Sequence, residues 1–146
     1  MKIIAYILSV YFVLGFAEAE TLKQIRTFNY RGIHYVTSIP IDCPSNATWT
    51  PGLNEPPLSN NQAYKIANTE FKKTFSQYNS FELQGVTLTR HGEGWLYYVT
   101  YLQKTEDFKK YPPSPKALEE MKPLVIVYYI TLDGQIYSPQ RESKPE

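Results

Sequence analysis

Apolar positions recur at steps of three and four most clearly along Ala63, Ile66, Ala67, Phe71, Phe75 and Tyr78, with Glu70, Lys72, Lys73 and Gln77 filling the opposite face. That spacing predicts an amphipathic helix of about five turns ending near Asn79. Its start is marked by Ser59 and Gln62, an S-x-x-Q capping box in which hydroxyl and amide satisfy reciprocal backbone N–H groups. Leu58 before the cap and Ala63 suit a hydrophobic staple. Beyond the helix the period changes from 3.6 to 2. Phe81 to Arg90 alternates, but its phase slips between Leu83 and Val86, and Gly85 at the slip predicts a β-bulge. His91 to Gly94 reads as a turn. Trp95 to Gln103 (WLYYVTYLQ) reads as a strand with Trp95, Tyr97, Val99 and Tyr101 on one face and Leu96, Tyr98, Thr100 and Leu102 on the other. Residues 104–122 are charged and proline-bearing, a loop with one helical turn near Pro115 to Met121. Pro123 to Leu132 (PLVIVYYITL) is the most apolar strand. Asp133-Gly134 is a type I′ hairpin signal, and Gln135 to Ser138 returns as a short strand.

Before the helix the pattern is weaker. Residues 20–32 show no clear period. Gly32 to Ile41 (GIHYVTSIPI) has the β-branched and aromatic content of a strand, with Pro40 placing its end at a sheet edge. Residues 42–58 hold four prolines and Gly52 and predict an ordered arm rather than a helix or central strand. The chain thus divides into an N-terminal strand and Pro-rich arm (20–58), a helix-plus-meander unit (59–138) and a polar tail (139–146). The expected fold class is α+β: one long helix packed on an antiparallel sheet of about four strands.

This order, with QAYKIANTEF leading the helix, GWLYYVTYL as the aromatic strand and VYYITLDGQIYS as the closing hairpin, resembles the PepSY-like and cystatin-like small exported domains over residues 59–138. In PepSY domains an alanine-rich helix precedes a strand with a Y-x-V core, matched here by Tyr97, Tyr98 and Val99. A final D-x-x-G-x-V hairpin is matched by Asp133, Gly134 and Ile136 with the Asp-Gly spacing shortened. These families share no catalytic residues to carry over. The resemblance implies a small exported domain, some members of which act as inhibitors or propeptide chaperones of proteases. The Q-x-V-x-G loop of inhibitory cystatins has no match, since QGVTL at Gln84 to Leu88 lacks its spacing.

The N-terminus adds a destination. Lys2, an apolar run from Ile3 to Ala17, and Ala17-Glu18-Ala19 follow the order of a secretory signal peptide. The run is long for such a peptide and short for a membrane span, and cleavage is expected after Ala19. The mature chain is then expected outside the cytoplasm, in a periplasm or the extracellular space, meeting the membrane only during export. Fifteen Lys+Arg against 14 Asp+Glu give a net charge of +1, which argues against a dedicated nucleic-acid binder. The 42% hydrophobic content excludes a disordered chain. One cysteine, Cys43, permits neither an internal disulfide nor a Cys-built zinc site. Its thiol is either buried and inert or free to pair between chains or react. Asn46-Ala47-Thr48 fits the glycosylation sequon.

Candidate chemistry is sparse. The nucleophile-elbow, zincin, P-loop, dinucleotide and C-x-x-C motifs are all missing from the sequence. Cys43 with His34 or His91 offers a nucleophile and a base, without the motif context of a known hydrolase. Glu106-Asp107, flanked by Lys104, Lys109 and Lys110, and Glu119-Glu120 read as solvated charge runs. No cofactor or metal is expected. The 13 tyrosines carry the remaining signal, because both faces of the two central strands are apolar. Tyrosine combines a large contact area with a polar tip and suits interfaces. The expected function is therefore a non-enzymatic exported binding domain. Its contact face is expected to comprise Tyr98, Tyr129, Leu96 and Leu102, with Trp49 nearby, and its partner to be an extracytoplasmic protein or peptide. Three alternatives stand beside it. The arm carrying Trp49 folds over that face, the face joins copies of the chain into a structural subunit, or Cys43 and His91 serve an enzyme or enzyme accessory.

Overall fold

The computed structural model describes residues 23–42 and 49–142. The expected signal peptide, Cys43 and the Asn46 sequon lie outside them. Among the described residues, seven strands form two antiparallel sheets, accompanied by three α-helices. Strands β1 (Lys23–Tyr30) and β2 (Ile33–Pro40) with β7 (Gln140–Arg141) make a three-stranded sheet in the order β1-β2-β7. Strands β3 (Phe81–His91), β4 (Gly94–Gln103), β5 (Val125–Thr131) and β6 (Ile136–Tyr137) make a four-stranded sheet in chain order. The expectation of one long helix on a single sheet of about four strands is therefore corrected: the architecture is mostly antiparallel β, in two sheets.

The physical reason lies in the two ends of the chain. β1 and β2 pair through eight consecutive residues, from Lys23 opposite Pro40 to Tyr30 opposite Ile33. Their connection, Arg31-Gly32, has positive φ at both residues (50° and 79°), the geometry that matches strand twist in a two-residue hairpin. Polar residues at Lys23, Gln24, Arg26, Thr27 and Asn29 hide the strand period, because most of β1 is solvent-exposed and buries only Tyr30. The segment 139–146, expected as a polar tail, contributes β7, whose Gln140 and Arg141 pair with Val36 and Tyr35.

Helix α1 (Asn60–Thr74) starts where the capping box places it. The Ser59 hydroxyl accepts from the Gln62 backbone N–H at 3.2 Å, and the Gln62 side chain accepts from the Ser59 N–H at 2.8 Å. It ends at Thr74, a turn and more before the expected Asn79. Phe75 is extended, and a 3₁₀ turn at Tyr78–Ser80 leads into β3. The phase slip in β3 is a register shift between Leu83 and Gly85. Residues 104–122 hold two short helices, α2 (Thr105–Lys110) and α3 (Pro115–Glu119), of which the second falls on the predicted turn. The Asp133-Gly134 connection departs from type I′, since only Gly134 has positive φ. The Gly134 N–H donates to the Thr131 carbonyl, and the Thr131 hydroxyl accepts from the Gln135 N–H and donates to Asp133. Thr131 thus builds a longer turn around its own side chain.

The main core lies between α1 and the inner face of the four-stranded sheet. Ala63, Ala67 and Phe71 meet Tyr97, Val99, Tyr101, Ile126, Tyr128 and Ile130, all buried. The stacked pair Phe71–Tyr101, 4.1 Å between centroids, marks its centre. The hairpin joins the same core at its turn end, where Phe28, Tyr30 and Tyr35 pack on Phe75 and Phe81. At its other end it reaches round to the outer face, where Ile39 packs with Leu96 and Tyr129 in a second, smaller core. One hairpin therefore touches both sides of the four-stranded sheet. This is why both faces of β4 and β5 are apolar.

A candidate binding cleft on the outer sheet face

The outer face is built by strand alternation. Leu96, Tyr98, Thr100 and Leu102 of β4 stand opposite Thr131, Tyr129, Val127 and Val125 of β5. Four of the five residues expected at a contact face share this surface, but they are not equally accessible. Leu96 and Tyr129 are fully buried beneath Ile39, whereas Tyr98 and Leu102 are half-buried. Tyr98 meets Tyr129 edge to face at 4.8 Å. The fifth residue, Trp49, lies on the opposite side. It packs edge to face on Trp95 at 5.2 Å, within the helix-side core, and its indole N–H donates to the Asn54 carbonyl at 2.8 Å. The described part of the arm, with Trp49, therefore packs on the helix side rather than on the tyrosine face. The β1–β2 hairpin covers that face.

That cover is incomplete. Where the hairpin diverges from β5, a cleft of about 340 Å³ remains. Arg26, Phe28 and Thr37 contribute from the hairpin, and Val125, Val127 and Tyr129 from β5. Arg26 lies directly opposite Thr37, so it shares the inward-facing register of Phe28, Tyr35 and Ile39. Its guanidinium carbon sits 5.7 Å from the centroid of the Tyr129 ring. No carboxylate among the described residues pairs with it. The Tyr129 hydroxyl is buried without a hydrogen-bond partner among them. Burial raises the pKa of that phenol, against a smaller opposing effect from the Arg26 charge. Val125 stays 45% exposed at the mouth. The cleft thus joins an apolar floor to one exposed cation without a carboxylate partner among the described residues.

Arg26 escaped the sequence reading because residues 20–32 showed no period. The signal that could have found it is the Arg31-Gly32 turn, flanked by the alternating aromatics Phe28 and Tyr30 on one side and Ile33 and Tyr35 on the other. Extending that alternation backwards puts Arg26 on the inner face.

The charge run at Glu106-Asp107 resolves into a structural anchor. Asp107 accepts from Arg31 at 2.6 Å on one oxygen, and from the Tyr30 hydroxyl at 3.0 Å and the Gln103 amide at 2.7 Å on the other. Gln103, buried, also donates to the Tyr111 carbonyl and accepts from the Leu124 N–H. Arg31 in turn lies 4.1 Å over the Tyr111 ring. Burial alone raises the Asp107 pKa. The hydrogen bonds from Gln103, Arg31, Ser80 and Tyr30 outweigh it and hold the carboxyl below its usual range. This network pins the hairpin turn to α2.

His91 also has a structural partner, its Nε2 lying 2.7 Å from the Pro40 carbonyl at the end of β2. His34 lies 2.9 Å from the Asn29 amide oxygen and 3.4 Å from Glu142. The described residues therefore place the two histidines in separate contacts at opposite ends of β2. Among these residues no group of three His, Cys, Asp or Glu side chains could hold a metal, and no helix is long and apolar enough to cross a membrane. No protein-family model, curated protein or solved structure matches the chain. The likeness to PepSY-like and cystatin-like domains rests on the residues quoted above.

Proposed function

We propose that this protein is an exported, non-enzymatic binding domain that takes its partner in the cleft between the β1–β2 hairpin and the outer face of β5. The observation that carries this reading is Arg26. Arg26 is solvent-exposed on the cleft-facing side of the hairpin, beside an apolar floor, and has no carboxylate partner among the described residues, which leaves its guanidinium open to a bound anion. The cleft volume falls at the lower end of the range for small-ligand sites, about 300–1,000 Å³. The tyrosine face contributes through the edge of this cleft, with Tyr98 behind Tyr129, rather than as an open sheet surface. Export is supported by Lys2, the apolar run to Ala17 and the Ala17-Glu18-Ala19 pattern.

Two measurements test the reading. Amino-terminal sequencing of the protein recovered outside the producing cell is expected to begin at Glu20. A start at Met1, with the protein retained inside, removes the export half. Mature protein used as crosslinking bait in its native extracytoplasmic fluid is expected to capture a component that the cleft-filling variant Val127→Trp loses. Equal capture by both baits moves the site elsewhere.

A further inference from the structure

Resting on that reading, we infer that the cleft recognises a carboxylate carried on an apolar body, either a small organic acid or the free C-terminus of an apolar peptide. The charge argument sets the sign. Arg26 supplies the positive charge on the inner face of the hairpin, and the other cleft residues, Thr27, Phe28, Thr37, Leu124, Val125, Val127 and Tyr129, include no acid to neutralise it. A planar guanidinium prefers a carboxylate or phosphate, which it can grip through two parallel hydrogen bonds. The walls choose between these. Phe28, Val125 and Val127 offer apolar contact immediately beside the cation, and the cleft holds no second cation. A phosphate, carrying close to two negative charges, fits such a site less well than a singly charged carboxylate with a hydrophobic substituent.

Tyr129 supplies the aromatic wall beside the cation. Its ring centroid lies 5.7 Å from the Arg26 guanidinium carbon, and its hydroxyl is buried without a partner among the described residues. The competing explanation is that an inward-pointing charge protects the free β1 edge from pairing with other strands. That role needs the charge but no ligand.

The test uses matched probes. Binding of 4-phenylbutyrate, 4-phenylbutanol, and the tripeptide acetyl-alanyl-valyl-phenylalanine as free acid and as C-terminal amide is followed by shifts of the Val125 and Val127 methyl resonances. Each acid is expected to bind at least ten times more tightly than its neutral counterpart. Arg26→Gln is expected to abolish that preference, and Val125→Glu to weaken both acids by a similar factor by offering Arg26 an internal carboxylate. An unchanged thermal transition shows that each variant folds. Tighter binding of the tripeptide acid than of phenylbutyrate assigns the peptide source, and the reverse assigns the small acid. Equal affinity for acids and neutral counterparts, or a preference that survives Arg26→Gln, overturns the inference. If no probe binds while Val127→Trp still abolishes capture of the native partner, the carboxylate class falls and the cleft stands. If neither occurs, both fall, and edge protection accounts for Arg26.

Discussion

Asp107 concentrates more polar contacts than any other carboxylate among the described residues. It accepts from Arg31, Tyr30 and Gln103, and its folded-state pKa lies below the unfolded value. A depressed carboxylate contributes stability that is fully present above its unfolded pKa, about 3.9. That contribution is lost as pH falls through the folded-state pKa. Chemical denaturation between pH 6 and pH 2 is therefore expected to show an acid loss of stability that Asp107→Asn reduces. At neutral pH, Asp107→Ala is expected to cost about 3 kcal/mol, since it strands the buried Gln103 amide together with Arg31. The tyrosines give the opposite limb. Burial raises the pKa of Tyr101, Tyr128 and Tyr129 above the usual phenol value. A raised phenol contributes stability present below its unfolded pKa, about 10, and lost as pH climbs towards the folded value. Ultraviolet titration is expected to show a fraction of phenols that ionise only as the protein unfolds. Complete titration below pH 11 with the fold intact would contradict the packing described for them. At Gly92 the constraint is steric. Its φ is +57°, and a Cβ there would lie 2.9 Å from the Ile41 carbonyl oxygen. Gly92→Ala is expected to lower stability by about 1–3 kcal/mol, read as a drop in denaturation midpoint.

At the scale of elements, those with local signals were legible and those defined by distant partners were not. Helix α1 was readable because Ser59, Gln62 and the Ala63–Ala67–Phe71 stripe all fall within a few turns. Ser59→Ala is expected to remove about 1 kcal/mol of stability, measured by chemical denaturation. The bulge at Gly85 and the alternation of β4 were legible for the same reason. The end of α1 was misread because Phe75 continues the helical stripe, yet it meets Tyr30, Tyr35 and Phe81 from an extended backbone. The apolar pattern records burial, and burial does not require the helix to continue. Strand β1 was missed because it is an edge strand with little to bury, and β7 because two exposed residues carry no period at all. For the cleft, Tyr129 could be chosen from its strand, whereas Arg26 could be placed opposite it only once the hairpin was known.

The whole molecule is organised by the hairpin that straddles the four-stranded sheet. Its turn end belongs to the large core through Tyr30 and Tyr35, and its far end to the small core through Ile39. The two cores are thus mechanically linked by one pair of strands. Ile39→Ala, at a site 1% exposed, is expected to destabilise by about 2–5 kcal/mol. It is also expected to raise amide exchange along β1 and β2 before it raises that of β4. Uniform exchange across both sheets would show that the hairpin never opens separately.

The pairing of Tyr35 with Arg141 carries a consequence for how the chain is made. During synthesis β2 emerges long before β7, and before β5, on which its inner face finally rests. A two-stranded hairpin alone is marginal in water. The first strands to be made are therefore the last to be secured, and Tyr30, Tyr35 and Ile39 stay uncovered while most of the chain is still being delivered. The interval between translation of β2 and of β7 is when this chain is most exposed to aggregation and gains most from a chaperone.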